Sequence, residues 1–134
     1  MTETKNTRRR MPDERKSITK KFTIHAHPDY GGDIDGYITA GLFEDGTLGE
    51  IFITVAKEGT LIRGLLVVLG TAVSIGLQQG VPLQTFVDKF KYLKFEPAGP
   101  TDDPHPLSMA SSVIDYIFRW LEMKFSEKEY NRIR

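Results

Sequence analysis

The sequence predicts an α+β fold: a three-stranded antiparallel meander covered by a long buried helix and followed by two further helices. Three patterns support this. Apolar and polar residues alternate early in the chain, an apolar helical pattern follows over residues 60–79, and two amphipathic patterns come after it. The 134 residues suit one domain, which we place at residues 19–125. A basic disordered tail at 1–18 precedes it, and a charged, fraying C-terminus at 126–134 follows it.

The three strands are predicted from alternation and turn signals. Phe22, Ile24 and Ala26 alternate with polar residues, and order is expected to begin near Thr19. Residues 28–36 are dense in turn formers and are predicted to be a loop. Residues 37–43 and 50–55 give the second and third strands, joined by an Asp-Gly turn.

The long helix is predicted over residues 60–79, with Thr60 as its N-cap and Gly80 as its stop signal. It is apolar nearly all round, so most of its surface is expected to be buried, one flank on the sheet and the other on a second subunit. Its most apolar run is 14 residues long, short of the roughly 18 needed to span a bilayer. We therefore expect a buried helix, no membrane partner and a cytoplasmic protein.

Two shorter helices complete the predicted fold. Apolar residues recur at helical spacing over residues 83–93 and again over 107–125. Between them, residues 94–106 contain four prolines and are predicted to form an irregular, partly extended crossing segment.

Composition excludes several classes of function. The chain has 18 basic and 18 acidic residues, so it is not a globally basic nucleic-acid binder. It has no cysteine, which excludes disulfides, thiolate metal sites and cysteine nucleophiles within these residues. No secretory signal is visible.

Charge is nevertheless concentrated at the start of the chain. Residues 1–21 hold eight basic and three acidic residues, a net charge of +5. Such a run is typical of a solubilising tail or a linker. The alternative is a phosphate-contacting nucleic-acid arm, in which Arg8, Arg9 and Arg10 are the candidate residues.

The start of the long helix is the candidate site for a phosphate or nucleotide. Lys57 and Gly59 precede it, Thr60 caps it and Arg63 lies in its first turn. Backbone N–H groups at a helix start favour anions, a glycine permits close approach, and the two cations add charge. The alternative is an ordinary capped junction.

No catalytic or metal site is predicted. His25, His27 and Asp29 lie close in sequence and contain metal-ligating groups, but a solvent-facing row followed by an acidic turn explains them better. No nucleophile and base stand at a spacing that indicates catalysis, so an independent enzyme of unrelated chemistry is the least favoured reading.

Several segments of the chain resemble one domain of the cobalamin-dependent (class II) ribonucleotide reductases, the domain called TSCPD. The resemblance runs from about residue 10 to residue 125. The matching segments, in order, are Gly36-Tyr37-Ile38-Thr39, Leu42-Phe43-Glu44-Asp45-Gly46, Gly49-Glu50-Ile51-Phe52-Ile53, Ala56-Lys57-Glu58-Gly59, Thr71-Ala72-Val73-Ser74, Gln79-Gly80-Val81-Pro82-Leu83, Phe95-Glu96-Pro97 and Asp115-Tyr116-Ile117-Phe118-Arg119-Trp120-Leu121.

This resemblance implies a role in deoxyribonucleotide synthesis and DNA replication. It also implies that cobalamin and the catalytic cysteines belong to other parts of the full enzyme, because this chain has no cysteine. The Thr-Ser-Cys-Pro-Asp motif that names the family is absent, and residues 28–35 look like an insertion.

Two functions from different classes follow from these observations. The first is a non-catalytic reductase-associated domain that binds a catalytic subunit, a nucleotide or itself and holds no cofactor alone. The second is a small regulatory or nucleic-acid-binding protein that uses the basic arm. In either case the apolar helix favours a homo-oligomer, most simply a dimer.

Overall fold

The computed structural model describes residues 8–56 and 60–133, and its first three strands form one antiparallel sheet. These strands are β1 (Ser17–Ile24), β2 (Ile34–Leu42) and β3 (Leu48–Val55), hydrogen-bonded in that order. Residues opposite one another share a face, so Ile38, Ala40 and Ile51 all point into the core. The predicted meander is confirmed.

The two connections of the sheet are built differently. After β2, Gly46 takes a left-handed φ of 86° and its N–H donates to the Phe43 carbonyl at 2.9 Å, which makes the tight turn expected from Asp-Gly. Between β1 and β2 the chain forms a short 3₁₀ turn, Pro28–Tyr30. β2 begins at Ile34, inside the predicted 28–36 loop, because Ile34 is buried and Asp35 accepts a hydrogen bond from Thr23.

Three helices follow the sheet: α1 (Leu61–Gln78), α2 (Leu83–Phe90) and α3 (Val113–Ile133). Thr60 caps α1 as predicted, since its Oγ1 accepts the Arg63 N–H at 3.3 Å. Between α2 and α3, the short strands β4 (Gly99–Pro100) and β5 (Met109–Ala110) pair with each other. Met109 and Ala110 belong to this pairing, so α3 begins at Val113 and not at the predicted 107.

Beyond residue 125 the structure differs from the predicted fraying, because α3 continues to Ile133. The buried Glu129 carboxylate accepts the N–H groups of Leu83 and Gln84 at 2.7 and 3.3 Å. Those are unpaired donors of the first turn of α2, and Pro82 before them provides no side-chain cap. The last turns of α3 therefore cap α2 from outside.

α1 lies along the open edge of β3. The Ser74 hydroxyl accepts the Ile51 N–H at 2.9 Å, and the Gln78 amide donates to the Gly49 carbonyl at 3.0 Å. Gly70 permits this approach, since a Cβ there would lie 3.1 Å from the Ile51 carbonyl oxygen. The helix thereby satisfies backbone groups that an uncovered sheet edge would expose.

Only one face of α1 is buried within the chain, which differs from the expectation that most of its surface would be. The residues of that face are Leu66, Gly70, Val73, Leu77 and Gln78. The opposite side, which we call the α1 outer face, consists of Leu61, Leu65, Val68, Ala72 and Ile75, and all five are exposed. Leu61 is 78% exposed and Val68 63% exposed.

The centre of the core is α3. Tyr116 stacks on Phe22 of β1 with ring centroids 5.1 Å apart, and Phe118 meets Phe90 of α2 at the same distance. Trp120 is fully buried and packs edge-on against Phe125. α3 therefore joins the sheet on one side to α2 on the other.

Candidate functional site

The predicted phosphate site at the start of α1 is described only in part. Lys57 and Gly59 lie outside the described residues. Thr60 is exposed and Arg63 is half-buried in the first turn. The Thr60 hydroxyl oxygen already accepts one of the N–H groups that a phosphate would use. Nucleotide binding at this helix start stays a prediction.

The predicted basic arm lies partly against the body of the protein. Arg8 donates from Nε to the Gln78 side-chain oxygen at 2.9 Å, and the Arg9 N–H donates to the Gln78 carbonyl at 2.7 Å. The Arg9 guanidinium covers the Phe43 ring at 3.7 Å from its centroid. Residues 17 and 18 of the predicted tail belong to β1. Arg10 is exposed, so one of the three candidate arginines points freely to solvent.

The acidic partner of this arm is Asp45, in the turn between β2 and β3. Its carboxylate lies 3.1 Å from the Arg9 guanidinium and 3.7 Å from that of Arg132. Partial burial opposes its ionisation, but hydrogen bonds from Thr47 and Arg9 outweigh that effect and lower the pKa of Asp45 to about 2. The turn thus anchors both ends of the chain by charge.

A polar cluster that sequence reasoning missed lies at the end of β1. Nε2 of His25 is 2.8 Å from an Asp102 carboxylate oxygen, and Nδ1 is 3.1 Å from one of Asp33. The hydrogen bond to Asp102, followed by that to Asp33, raises the pKa of His25 above its ordinary value. His27 accepts the Asp29 N–H instead. The two histidines therefore do not share a site.

A second missed contact lies beside this cluster. Asp103 accepts from Lys20 at 2.9 Å and from the Tyr116 hydroxyl. Burial, and then this carboxylate, raises the pKa of Tyr116 far above its ordinary value. An open depression of about 260 Å³ adjoins Lys20 and Asp103 and is walled on its other side by Trp120 and Lys124. The arrangement fixes the crossing segment to β1 and α3.

Asp115 and Arg119, both in the segment that carries the family resemblance, organise the rest of the crossing segment. The buried Asp115 carboxylate accepts the N–H groups of Tyr92 and Ser111 at 2.6 and 2.9 Å, and pairs with Arg119 at 2.9 Å. Arg119 also donates to the carbonyl groups of Pro106 and Met109. These contacts hold residues 92, 106, 109 and 111 against the first turns of α3.

In the part of the chain that the structure describes, no group of three or more His, Cys, Asp or Glu side chains is arranged to hold a metal ion. The most unusual surface of the described residues is the exposed, apolar α1 outer face. At 18 residues and a mean hydropathy of 1.8, α1 is long and apolar enough to cross a membrane by length and composition alone. Core helices of other proteins pass the same test, so this finding by itself assigns no location.

Comparison with known proteins places the chain in a family. The TSCPD domain family matches residues 4–125. A vitamin B12-dependent ribonucleotide reductase of Rhodopirellula baltica is 48% identical over 118 residues, covering 88% of this chain and 11% of that relative. The enzyme of the same name in Bradyrhizobium diazoefficiens is 40% identical over 121 residues, covering 90% of this chain and 9% of the relative.

The chain thus spans about a tenth of the length of these curated relatives. A reductase of the same name from Streptantibioticus cattleyicolor is 46% identical over 118 residues. The match covers 88% of this chain and 18% of that relative. No solved structure gives a significant match. The resemblance noted in the sequence is confirmed, and the chain belongs to the TSCPD domain family.

Proposed function

We propose that this protein is a non-catalytic domain of a vitamin B12-dependent ribonucleotide reductase system and acts by binding the catalytic chain. The observation that carries the proposal is the pattern of coverage. Nearly the whole chain matches a tenth of a much longer reductase. The chemistry of that reductase is therefore expected to reside in the remaining nine-tenths.

The composition and the contacts support a binding role. These 134 residues contain no cysteine to form a radical or to supply reducing equivalents. The polar clusters at His25 and Asp115 are occupied by contacts within the fold, so they hold loops in place. A folded body whose polar clusters are engaged in its own fold fits a protein that acts by binding another chain rather than by chemistry of its own.

Vitamin B12 belongs, on this proposal, to the catalytic chain. Both ring nitrogens of His25 already face carboxylates, and Nδ1 of His27 accepts a backbone N–H. Neither residue is therefore set up as a free ligand for a metal-containing cofactor. We therefore assign that cofactor no site in this chain.

A deletion and complementation experiment tests the proposal. The Rhodopirellula baltica reductase is prepared without the 118 residues that this chain matches. We expect the shortened enzyme to lose ribonucleotide reduction, and this chain, added in trans, to restore it and to co-elute with it. The full-length enzyme is the matched control, because its own domain already occupies the docking surface and added chain should not change its activity. A shortened enzyme that neither binds the chain nor responds to it contradicts the proposal.

A further inference from the structure

The α1 outer face has the spacing of a helix-pairing seam. Its five residues follow one another at intervals of four, three, four and three, which is the heptad spacing of positions that face a partner helix. The seam runs from Leu61 to Ile75 along α1, a length of about 21 Å at 1.5 Å per residue. No charged residue is among the five.

The seam is also nearly symmetric about its centre. Val68 stands midway, seven residues from Leu61 and seven from Ile75. If two copies of α1 pack antiparallel around a two-fold axis beside Val68, Leu61 of one copy lies opposite Ile75 of the other. Leu65 then lies opposite Ala72, a large side chain against a small one, as interdigitating helices require. The pattern is self-complementary, which an isologous interface demands.

We propose that the α1 outer face binds a second copy of this chain, so that two antiparallel α1 helices form the centre of a two-fold symmetric dimer. Gly64 beside this face is open to a partner, because a Cβ at this position would meet nothing in the chain within 4 Å. Net charge supports it too, since each copy is formally neutral and long-range repulsion is absent.

The attachment of α1 to the sheet favours a protein partner over a membrane. Ser74 and Gln78 bind the β3 edge, and Gly70 lies against it. Spanning a bilayer would break these contacts and expose the backbone edge of β3. Docking a second helix on the opposite face leaves them intact. The proposal concerns the chain alone and does not rest on its role beside a reductase.

Charge placed at the symmetry axis tests the dimer. In the proposed pair Val68 faces its own copy, so Val68→Glu puts two carboxylates together and Val68→Lys two ammonium groups. Each variant should raise the dimer dissociation constant at least about 100-fold, measured by analytical ultracentrifugation. An equimolar mixture of the two should associate again, because each Glu then faces a Lys. Met123→Glu, on α3 and 53% exposed, is the matched control and should stay dimeric.

A cross-link gives a second readout. The chain has no cysteine, so Val68→Cys introduces a single thiol. Mild oxidation should link two copies of that variant nearly completely, since a disulfide needs Cβ atoms about 3.8 Å apart. Met123→Cys should link slowly under the same conditions.

Three results would overturn the proposal. The first is a wild-type chain that sediments as a monomer of 15.2 kDa at 100 µM. That assay concentration is well above the dissociation constant of a stable dimer. The second is a dimer that survives both charge variants. The third is a monomer that binds neutral phosphatidylcholine vesicles, or the shortened reductase, through Val68 in place of its own copy.

Discussion

α1 and α3 are the two long helices of the chain, and the more apolar of them contributes less to the core. α1 carries almost no charge, yet it buries only one face and leaves the α1 outer face in solvent. α3 is rich in charged residues, yet five of its apolar and aromatic side chains are at most 1% exposed: Tyr116, Ile117, Phe118, Trp120 and Leu121.

Neighbours explain the difference better than composition does. α3 lies between the sheet and α2, so two sides of it are covered. α1 lies at the edge of β3, where only one side has a neighbour. An apolar helix with one covered side leaves its other apolar side in contact with water. A helix with scattered charges can lie at the centre of the core if those charges are paired.

The largest expected effect lies in α3. Trp120→Ala should lower the free energy of unfolding by about 3–5 kcal/mol, because a large buried ring is removed and a cavity remains. Met123→Ala, on the exposed side of the same helix, should change it by less than about 0.5 kcal/mol. Urea denaturation of both variants measures the contrast. Equal effects would mean that α3 is not the structural centre.

The second effect concerns charge inside the core. Asp115→Asn should cost about 2–3 kcal/mol, because the carboxylate that binds Tyr92 N–H, Ser111 N–H and Arg119 loses its charge. Asp88→Asn on α2 is the control, since the exposed Asp88 binds only the Gln84 side chain and its replacement should be near neutral. Urea midpoints give both values, and a neutral Asp115→Asn would show that charge does not stabilise α3 here.

The third effect tests how α1 is held at the sheet edge. Ser74→Ala should cost about 1–2 kcal/mol, because the Ile51 N–H loses its acceptor. Thr71→Ala on the same helix is the matched control, since its hydroxyl bonds only the Val67 carbonyl one turn earlier and faces solvent. Thermal unfolding separates the two, and equal effects in both variants would mean that the contact of Ser74 with the sheet edge does not stabilise the fold.

The smallest effect is one of pH. The raised pKa of His25 means that the folded state binds its proton more tightly than the unfolded state. Its stabilising contribution is therefore complete below pH of about 6.5 and is lost as pH rises through the folded-state pKa. NMR titration should give a pKa above that of a free histidine. Asp102→Asn should lower this pKa. An unchanged pKa would mean that His25 and Asp102 do not form the hydrogen bond that joins the end of β1 to the crossing segment.

The elements built from local patterns were the ones the sequence could predict. The meander, the Asp-Gly turn and the Thr60 cap all depend on residues within a few positions of one another. The length of α1 could be predicted from its apolar run. Its exposure could not, because exposure depends on which other elements pack against α1 in the folded chain. The sequence pattern of a helix that is apolar all round is the same whether its second side packs against the same chain or against another.

The missed features join residues far apart in sequence. Asp103 binds Lys20 across 83 positions, and Asp102 binds His25 across 77. Both aspartates sit in a proline-rich segment where surface turns were the ordinary expectation. The predicted end of α3 at 125 was wrong because Glu129, which looked like one charge among many, caps a helix 45 residues earlier.

That cap bears on how the domain can be moved between proteins. The family match ends at residue 125, so a graft designed on family boundaries would stop before Glu129. Such a graft would leave two backbone N–H groups in the first turn of α2, those of Leu83 and Gln84, without an acceptor in a buried part of the fold. The segment that has to be transferred for the domain to fold is therefore longer than the segment by which the family is recognised. A chimaeric reductase should carry the segment through residue 133, or supply another acceptor for Leu83 and Gln84.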